Sequence, residues 1–135
     1  MANENKDEPR DLCYEDKNTY KWLTEERTSP FCGKQFNEIF LLAMAYGKKF
    51  GEREKLKERY PNIPLRTFLT EELWLIKAVA MSESNSLDIL LNQKELYKIA
   101  EEYANNGVKL LKQDIVDNLG DYDKLLETKI KKSKK

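Results

Sequence analysis

Two pairs of adjacent carboxylates, Glu71-Glu72 and Glu101-Glu102, and two cysteines, Cys13 and Cys32, are the residues here whose types could do chemistry. The chain has no histidine. That removes the commonest general base, the commonest metal ligand and the usual pH switch. Neighbours on a helix point about 100° apart, so neither carboxylate pair makes a shared site by itself. Glu101 with Asn105, and Glu102 with Asn106, do stack one turn apart. A nuclease-like metal centre needs several carboxylates converging from different elements, so a structural role is the expectation for these four. The cysteines stand in no metal-like spacing, and with no histidine base either would need a helix N-terminus or a lysine for activation. Cys32 falls just before a predicted helix, the right place for a lowered pKa, yet a structural thiol is expected there too. No catalytic residue, cofactor or metal is predicted.

The basic residues offer binding instead. Residues 48–59 hold six basic and three acidic side chains, a net of +3, whereas residues 70–107 hold seven acidic and three basic, a net of −4. Lys48, Lys49, Arg53, Lys55, Lys57, Arg59 and Arg66 could therefore contact DNA phosphates. The competing interpretation is a solvated connector with local ion pairs to Glu52, Glu54 and Glu58. The lysine-rich end, Lys129 to Lys135, could add salt-sensitive affinity for nucleic acid or simply solubilise the chain. Lys plus Arg equals Asp plus Glu, 24 each, which argues against a generally basic DNA-coating protein.

These groups need elements to position them. At 135 residues the chain is expected to form one domain with one sizeable core. Met1 to Asp11 is polar and charged, unlike a signal peptide. That points to a cytoplasmic protein with reduced thiols, although a Cys13–Cys32 disulfide is geometrically conceivable. Residues 1–10 read as a disordered tail, 11–120 as a helical domain and 121–135 as a lysine-rich tail.

Asp16 caps a short helix with Tyr20 and Leu23 on one stripe, and Thr28-Ser29-Pro30 breaks it. A second helix is predicted from about Lys34 to Lys49. Phe36, Ile39, Phe40, Ala43, Met44 and Gly47 follow helical spacing there, and Gly47 or Gly51 ends it. Its run Ile39 to Tyr46 is apolar on every side and, at eight residues, far too short to span a bilayer. It is either the centre of the core or a core helix with one face given to a partner.

Residues 52–66 form a charged segment closed by Pro61 and Pro64, with 60–64 extended or turning. Thr70 is predicted to cap a third helix, Glu71 to about Met81, with two carboxylates in its first turn. Asn92 caps a fourth, with Glu95 placed to reach back. Its stripe runs Leu96, Ile99, Ala100, Tyr103 and continues in register through Gly107, Leu110, Leu111 and Ile115. Asn105-Asn106-Gly107 could stop that helix, or Gly107 could let a neighbouring backbone approach closely. The unbroken register favours the second. Most aromatics belong to the core; Trp22, Tyr60 and Trp74 are the interface candidates, since Trp and Tyr carry binding hot spots disproportionately.

Two blocks, in this order and at this separation, resemble the DNA phosphorothioation-associated protein 4 family. The first is Phe36-Asn37-Glu38-Ile39-Phe40-Leu41-Leu42-Ala43-Met44-Ala45-Tyr46-Gly47 followed by Lys48-Lys49-Phe50-Gly51-Glu52-Arg53. The second is Glu101-Glu102-Tyr103-Ala104-Asn105-Asn106-Gly107, similar to the family's Glu-Tyr-Ala-Asn-Gly-Gly block. Here Val108 replaces the second glycine and an extra Asn precedes Gly107. The resemblance spans about 12–116. It implies a small accessory component encoded with systems that place sulfur in the DNA backbone and restrict unmodified DNA. It carries no catalytic residues, and makes Glu102, Tyr103, Ala104, Asn105 and Gly107 a structural or docking element.

The chain is thus expected to be mainly all-α, a compact bundle of four to five helices with flexible termini. Its expected role is a non-enzymatic accessory subunit of a DNA-modification-linked defence complex. Its expected partners are a larger protein subunit, DNA backbone through the basic segment, and a further copy of itself, with no membrane. The alternative is a stand-alone small DNA-binding protein or dimeric regulator, for which no helix rich in Arg, Asn or Gln stands ready.

Overall fold

The computed structural model describes residues 8–118 and Ile130; the lysine-rich end and most of the N-terminal tail lie outside the described residues. In chain order the elements are β1 (Asp11–Tyr14), α1 (Lys17–Glu25), α2 (Phe36–Phe50), β2 (Tyr60–Pro64), α3 (Thr70–Ser84) and α4 (Gln93–Asp117). Short 3-10 turns, Leu65–Thr67 and Leu87–Leu91, lead into α3 and α4. The fold is mainly helical, as expected, with one correction: 11–14 and 60–64 form a two-stranded antiparallel sheet.

Local chemistry sets the helix ends. Asp16 accepts the Thr19 amide at 3.1 Å and caps α1, and Asn92 accepts the Glu95 amide at 3.2 Å to cap α4, each satisfying a donor that the first turn leaves orphaned. α2 starts at Phe36, where Glu38 reaches back to the Gln35 amide at 2.8 Å. α3 starts one residue earlier than expected. Leu69, not Thr70, is its cap residue, because Glu72 takes the Leu69 amide at 2.7 Å. α3 closes at Asn85, in the left-handed region at φ 57°, which asparagine tolerates better than most residues.

The sheet forms from residues that make poor strands alone. Leu12 and Tyr14 alternate inward, giving β1 the period of two that a half-buried strand requires. Pro61 and Pro64 have no amide to donate, which is tolerated only at a sheet edge, and in a two-stranded sheet both strands are edges. Leu12 pairs with Ile63 but Cys13 with Pro61, so Asn62 bulges out and donates to the Tyr14 hydroxyl at 2.8 Å.

The core lies between α2 and α4, with α1, α3 and the sheet closing its sides. Phe40, Ala43 and Met44 of α2 and Leu96, Ala100, Val108, Leu111 and Ile115 of α4 are buried. Each large aliphatic among them contributes about 1.5–3 kcal/mol through burial. Gly47 lies inside α2, and Gly51 follows its end. α4 runs unbroken through Gly107, so the close-approach interpretation of that glycine holds. A Cβ on Gly107 would stand 2.6 Å from the Gly47 nitrogen, and one on Gly47 3.1 Å from the Gly107 nitrogen. The two helices cross backbone against backbone.

Candidate functional site

α4 presents one polar stripe to the rest of the chain: Glu101, Glu102, Asn105, Asn106 and Lys109. These positions share a face because residues four apart overlie each other on a helix. Glu101, Glu102 and Asn105 are buried, so each must be paired to offset its lost hydration.

Glu101 fastens the sheet. One carboxylate oxygen accepts the Cys13 amide of β1 at 2.7 Å. The other accepts the Arg59 guanidinium, from the residue just before β2. Burial pushes the Glu101 carboxyl above its ordinary range, opposed by the Cys13 amide and Arg59. Burial and the facing Glu101 also push the Cys13 thiol up, which makes it less of a nucleophile. Both cysteines are unpaired thiols.

Glu102 fastens the segment after α2. Its carboxylate accepts Arg53 Nε at 2.8 Å and Nη2 at 2.7 Å. Arg53 also reaches Glu83 at the end of α3, at 3.3 Å, and Glu95 at 3.8 Å. Burial opposes the Arg53 charge, but Glu102 and Glu83 outweigh it and hold the pKa above the ordinary value. The Tyr103 hydroxyl donates to Glu83; burial and that bond push the phenol up to about 12. Glu83 in turn is lowered by the Tyr103 bond, against burial, and by Arg53.

Asn105 and Asn106 hold backbone. Asn105 donates to the carbonyls of Glu54 and Lys55 at 3.2 and 3.4 Å. Asn106 accepts the Glu52 amide and donates to the Glu54 carboxylate, both at 3.1 Å. The Glu54 amide donates to the Glu102 carbonyl at 3.1 Å. Lys109 pairs with Glu54 and, at 3.3 Å, with Glu15. Residues 52–59 are therefore a strap clamped along α4, with two carboxylates and two asparagines as the clamp.

That arrangement sorts the predicted basic cluster. Arg53 and Arg59 are turned onto buried carboxylates. Lys48 lies 3.9 Å from Glu83 and 5.3 Å from the centre of the Tyr103 ring. Lys49, Lys55, Lys57 and Arg66 are exposed and form no ion pair among the described residues. Among the described residues no three His, Cys, Asp or Glu side chains cluster as a metal site would require.

A family model, DNA sulphur modification system-associated protein 4, matches residues 13–135. The chain belongs to that family. No curated protein and no solved structure matches it. In this member of the DNA sulphur modification system-associated protein 4 family, the Glu102-Tyr103-Ala104-Asn105 block and Gly107 are the residues that hold strap, α3 and α2 on α4, with Ala104 buried beneath. Sequence reasoning missed the pairing of Glu101 with β1 and with Arg59. The signal available was Glu101 itself, a carboxylate on the buried side of a strongly patterned helix, where an ion partner is obligatory.

Of the interface aromatics, Trp22 is half-buried under the Lys112 ammonium, 5.5 Å from its ring. Tyr60 is exposed and donates to Glu58. Trp74 is half exposed, beside Lys77, and has large apolar company at the surface: Leu69 and Leu75 on its own stretch, and Leu87 and Leu91 in the turn between α3 and α4. Among the described residues no helix is long and apolar enough to cross a membrane.

Proposed function

We propose that this chain is a non-enzymatic accessory subunit of a DNA sulphur-modification defence system, acting in the cytoplasm by docking onto a larger protein of that system. The observation that carries this reading is the pair Leu87 and Leu91, 73% and 85% exposed in the 3-10 turn between α3 and α4. Burying a leucine side chain contributes about 1.5–3 kcal/mol, so two protruding leucines are apt anchors for a partner. The charged groups support a scaffold role as well. Glu101, Glu102, Arg53 and Arg59 neutralise one another, and what they hold is chain.

DNA-backbone contact belongs to the exposed cations Lys55 and Lys57 of the strap, assisted by Lys49 and Arg66. The clamp on α4 fixes the strap before any encounter, which lowers the ordering cost of binding.

The test is reconstitution with the purified proteins of the modification system. Wild type should co-elute with one of them in the presence of nuclease, and Leu87→Asp/Leu91→Asp should not, while keeping its helical circular dichroism. If no protein is retained, yet DNA is bound with an affinity that falls steeply with salt and less steeply in Lys55→Glu/Lys57→Glu, the chain acts alone on DNA and the subunit reading fails.

A further inference from the structure

Cations occupy alternate positions of the strap, Arg53, Lys55, Lys57 and Arg59, with Glu54, Leu56 and Glu58 between them. In an extended chain, side chains two apart share a face, so a straight strap would present all four cations to one side. The clamped strap does not. Lys55 and Lys57 are exposed and form no ion pair among the described residues, whereas Arg53 lies on Glu102 at 2.7 Å and Arg59 lies on Glu101. α4 thus withholds half of the strap's positive charge.

Polar contacts are what hold the strap down. Residues 52–59 belong to no helix or strand, and their one apolar side chain, Leu56, is half-buried. Their backbone bonds run to Asn105, to Asn106, to the Glu102 carbonyl and to Glu15. Each end of the strap is fixed independently of that clamp. The Gly51 amide closes α2 on the Gly47 carbonyl at 2.9 Å, and Tyr60 pairs with Tyr14 in the sheet. Lifting 52–59 therefore leaves the α2–α4 core packed, as a local opening requires.

The closed state also carries its own costs. Glu101 and Glu102 lie almost fully buried under the strap, and a buried carboxylate loses hydration that its ion pair must offset. Asn105 keeps one buried acceptor, Oδ1, without a hydrogen-bond partner among the described residues. Opening returns all three groups to water. Arg53 would also leave Glu83 and Glu95, at 3.3 and 3.8 Å, acids that water already reaches. Each guanidinium can exchange a carboxylate for a phosphate, since both accept the same fork of N–H donors.

We propose that the strap is an electrostatic latch, in which Glu102 and Glu101 hold Arg53 and Arg59 in reserve as further DNA-phosphate contacts. A duplex first meets Lys55 and Lys57 on the clamped strap and then draws the two arginines off α4. A ligand shifts such an equilibrium only by binding one state better. Here the open strap offers four cations and the closed strap two. The latch rests on the DNA contact proposed for the strap and is independent of docking through Leu87 and Leu91.

Binding of the full chain to a short DNA duplex of mixed sequence, measured over a salt series, tests it. Each phosphate neutralised contributes about 0.9 to the slope of log affinity against log salt, so Arg53→Gln/Arg59→Gln should lose about 1.8 from the wild-type slope. Glu102→Gln keeps the shape of the side chain but loosens its hold on Arg53. It should bind the duplex about tenfold tighter than wild type at fixed salt, with the slope unchanged. Glu58→Gln removes the same charge from an exposed strap position and should gain far less. Glu101→Gln serves in place of Glu102→Gln should the latter fail to fold. The Glu54 amide, held by the Glu102 carbonyl, should exchange its hydrogen faster when the duplex is bound. A wild type that binds the duplex with slope and affinity indifferent to these four residues, or whose Glu54 amide exchanges more slowly when bound, would overturn the latch and leave the Lys55 and Lys57 contact standing. A wild type that does not bind the duplex at low salt would overturn both.

Discussion

Gly47 of α2 and Gly107 of α4 lie backbone against backbone, so close that a Cβ on Gly107 would stand 2.6 Å from the Gly47 nitrogen and overlap Ala43 as well. The atoms in the way are main chain, which cannot rotate aside. Gly107→Ala should therefore force the helices apart. Overpacking of this kind costs about 1–3 kcal/mol, more than the roughly 1 kcal/mol that alanine gains in helix propensity. We expect a net destabilisation of about 1–2 kcal/mol or more in urea melts, with Gly47→Ala similar. Because the sites touch, the double variant should lose less than the sum of the two. An unchanged midpoint for Gly107→Ala would refute the close crossing.

Arg53 ties three parts of the fold to one guanidinium, with Glu102 almost fully buried beneath it. Removing one partner of a buried pair leaves the other charge uncompensated, at a cost of about 3–5 kcal/mol in the fully buried case. Arg53 is about one-third exposed, so Arg53→Ala should cost nearer 2–3 kcal/mol. Arg53→Lys should recover only part, because a single ammonium cannot reproduce two directed bonds. Hydrogen exchange should show strap amides opening in the alanine variant before α4 does.

Acid stability is set by carboxylates with opposite shifts. Glu83 and Glu54 lie below their ordinary value of 4.5, Glu83 through Tyr103 and Arg53, Glu54 through Lys109 and Asn106 against burial. Their stabilisation is complete above 4.5 and is lost as pH falls through the folded values. Glu101 lies above 4.5 because it is buried, so its contribution is greatest at low pH and fades as pH rises through the folded value. Glu83→Gln should flatten the acid limb of a stability–pH curve. Glu101→Gln should remove the decline that Glu101 imposes above 4.5, from a lower base because Arg59 loses its counter-ion.

The alkaline limb should report Tyr103. Its phenol, pushed up to about 12 from 10 by burial and Glu83, is neutral in folded and unfolded chains below 10. The stabilisation is full there and is lost as pH climbs from 10 through about 12. Tyr103→Phe should give up about 1 kcal/mol at neutral pH with the Glu83 bond, and should show a shallower alkaline decline.

The helices were legible because their information is local. Asp16 and Asn92 announce caps, Ile39 to Tyr46 announces a buried helix, and the stripe from Leu96 to Ile115 runs in register through Gly107, which made the close approach readable before any neighbour was known. The sheet was not legible. The prolines marked 60–64 as extended or turning, but Asp11–Tyr14 is only four residues long, and nothing local in either segment announces the other as its partner. They pair across some fifty residues because Leu12, Tyr14 and Ile63 are buried there and Glu101 of α4 holds both the Cys13 amide and Arg59.

The sequence by itself determined a mainly helical chain, the helix that forms its centre and the family block on α4, because periodicity, capping and glycine act within a few residues of themselves. Only the tertiary structure decided what the charges do. A charge run is the same string whether it faces water or a buried carboxylate. Arg53 and Arg59 became clamps while Lys55 and Lys57 stayed exposed because α4 places Glu101 and Glu102 beneath two of them and nothing of the kind beneath the others, a distinction made by burial and long-range contact rather than by composition.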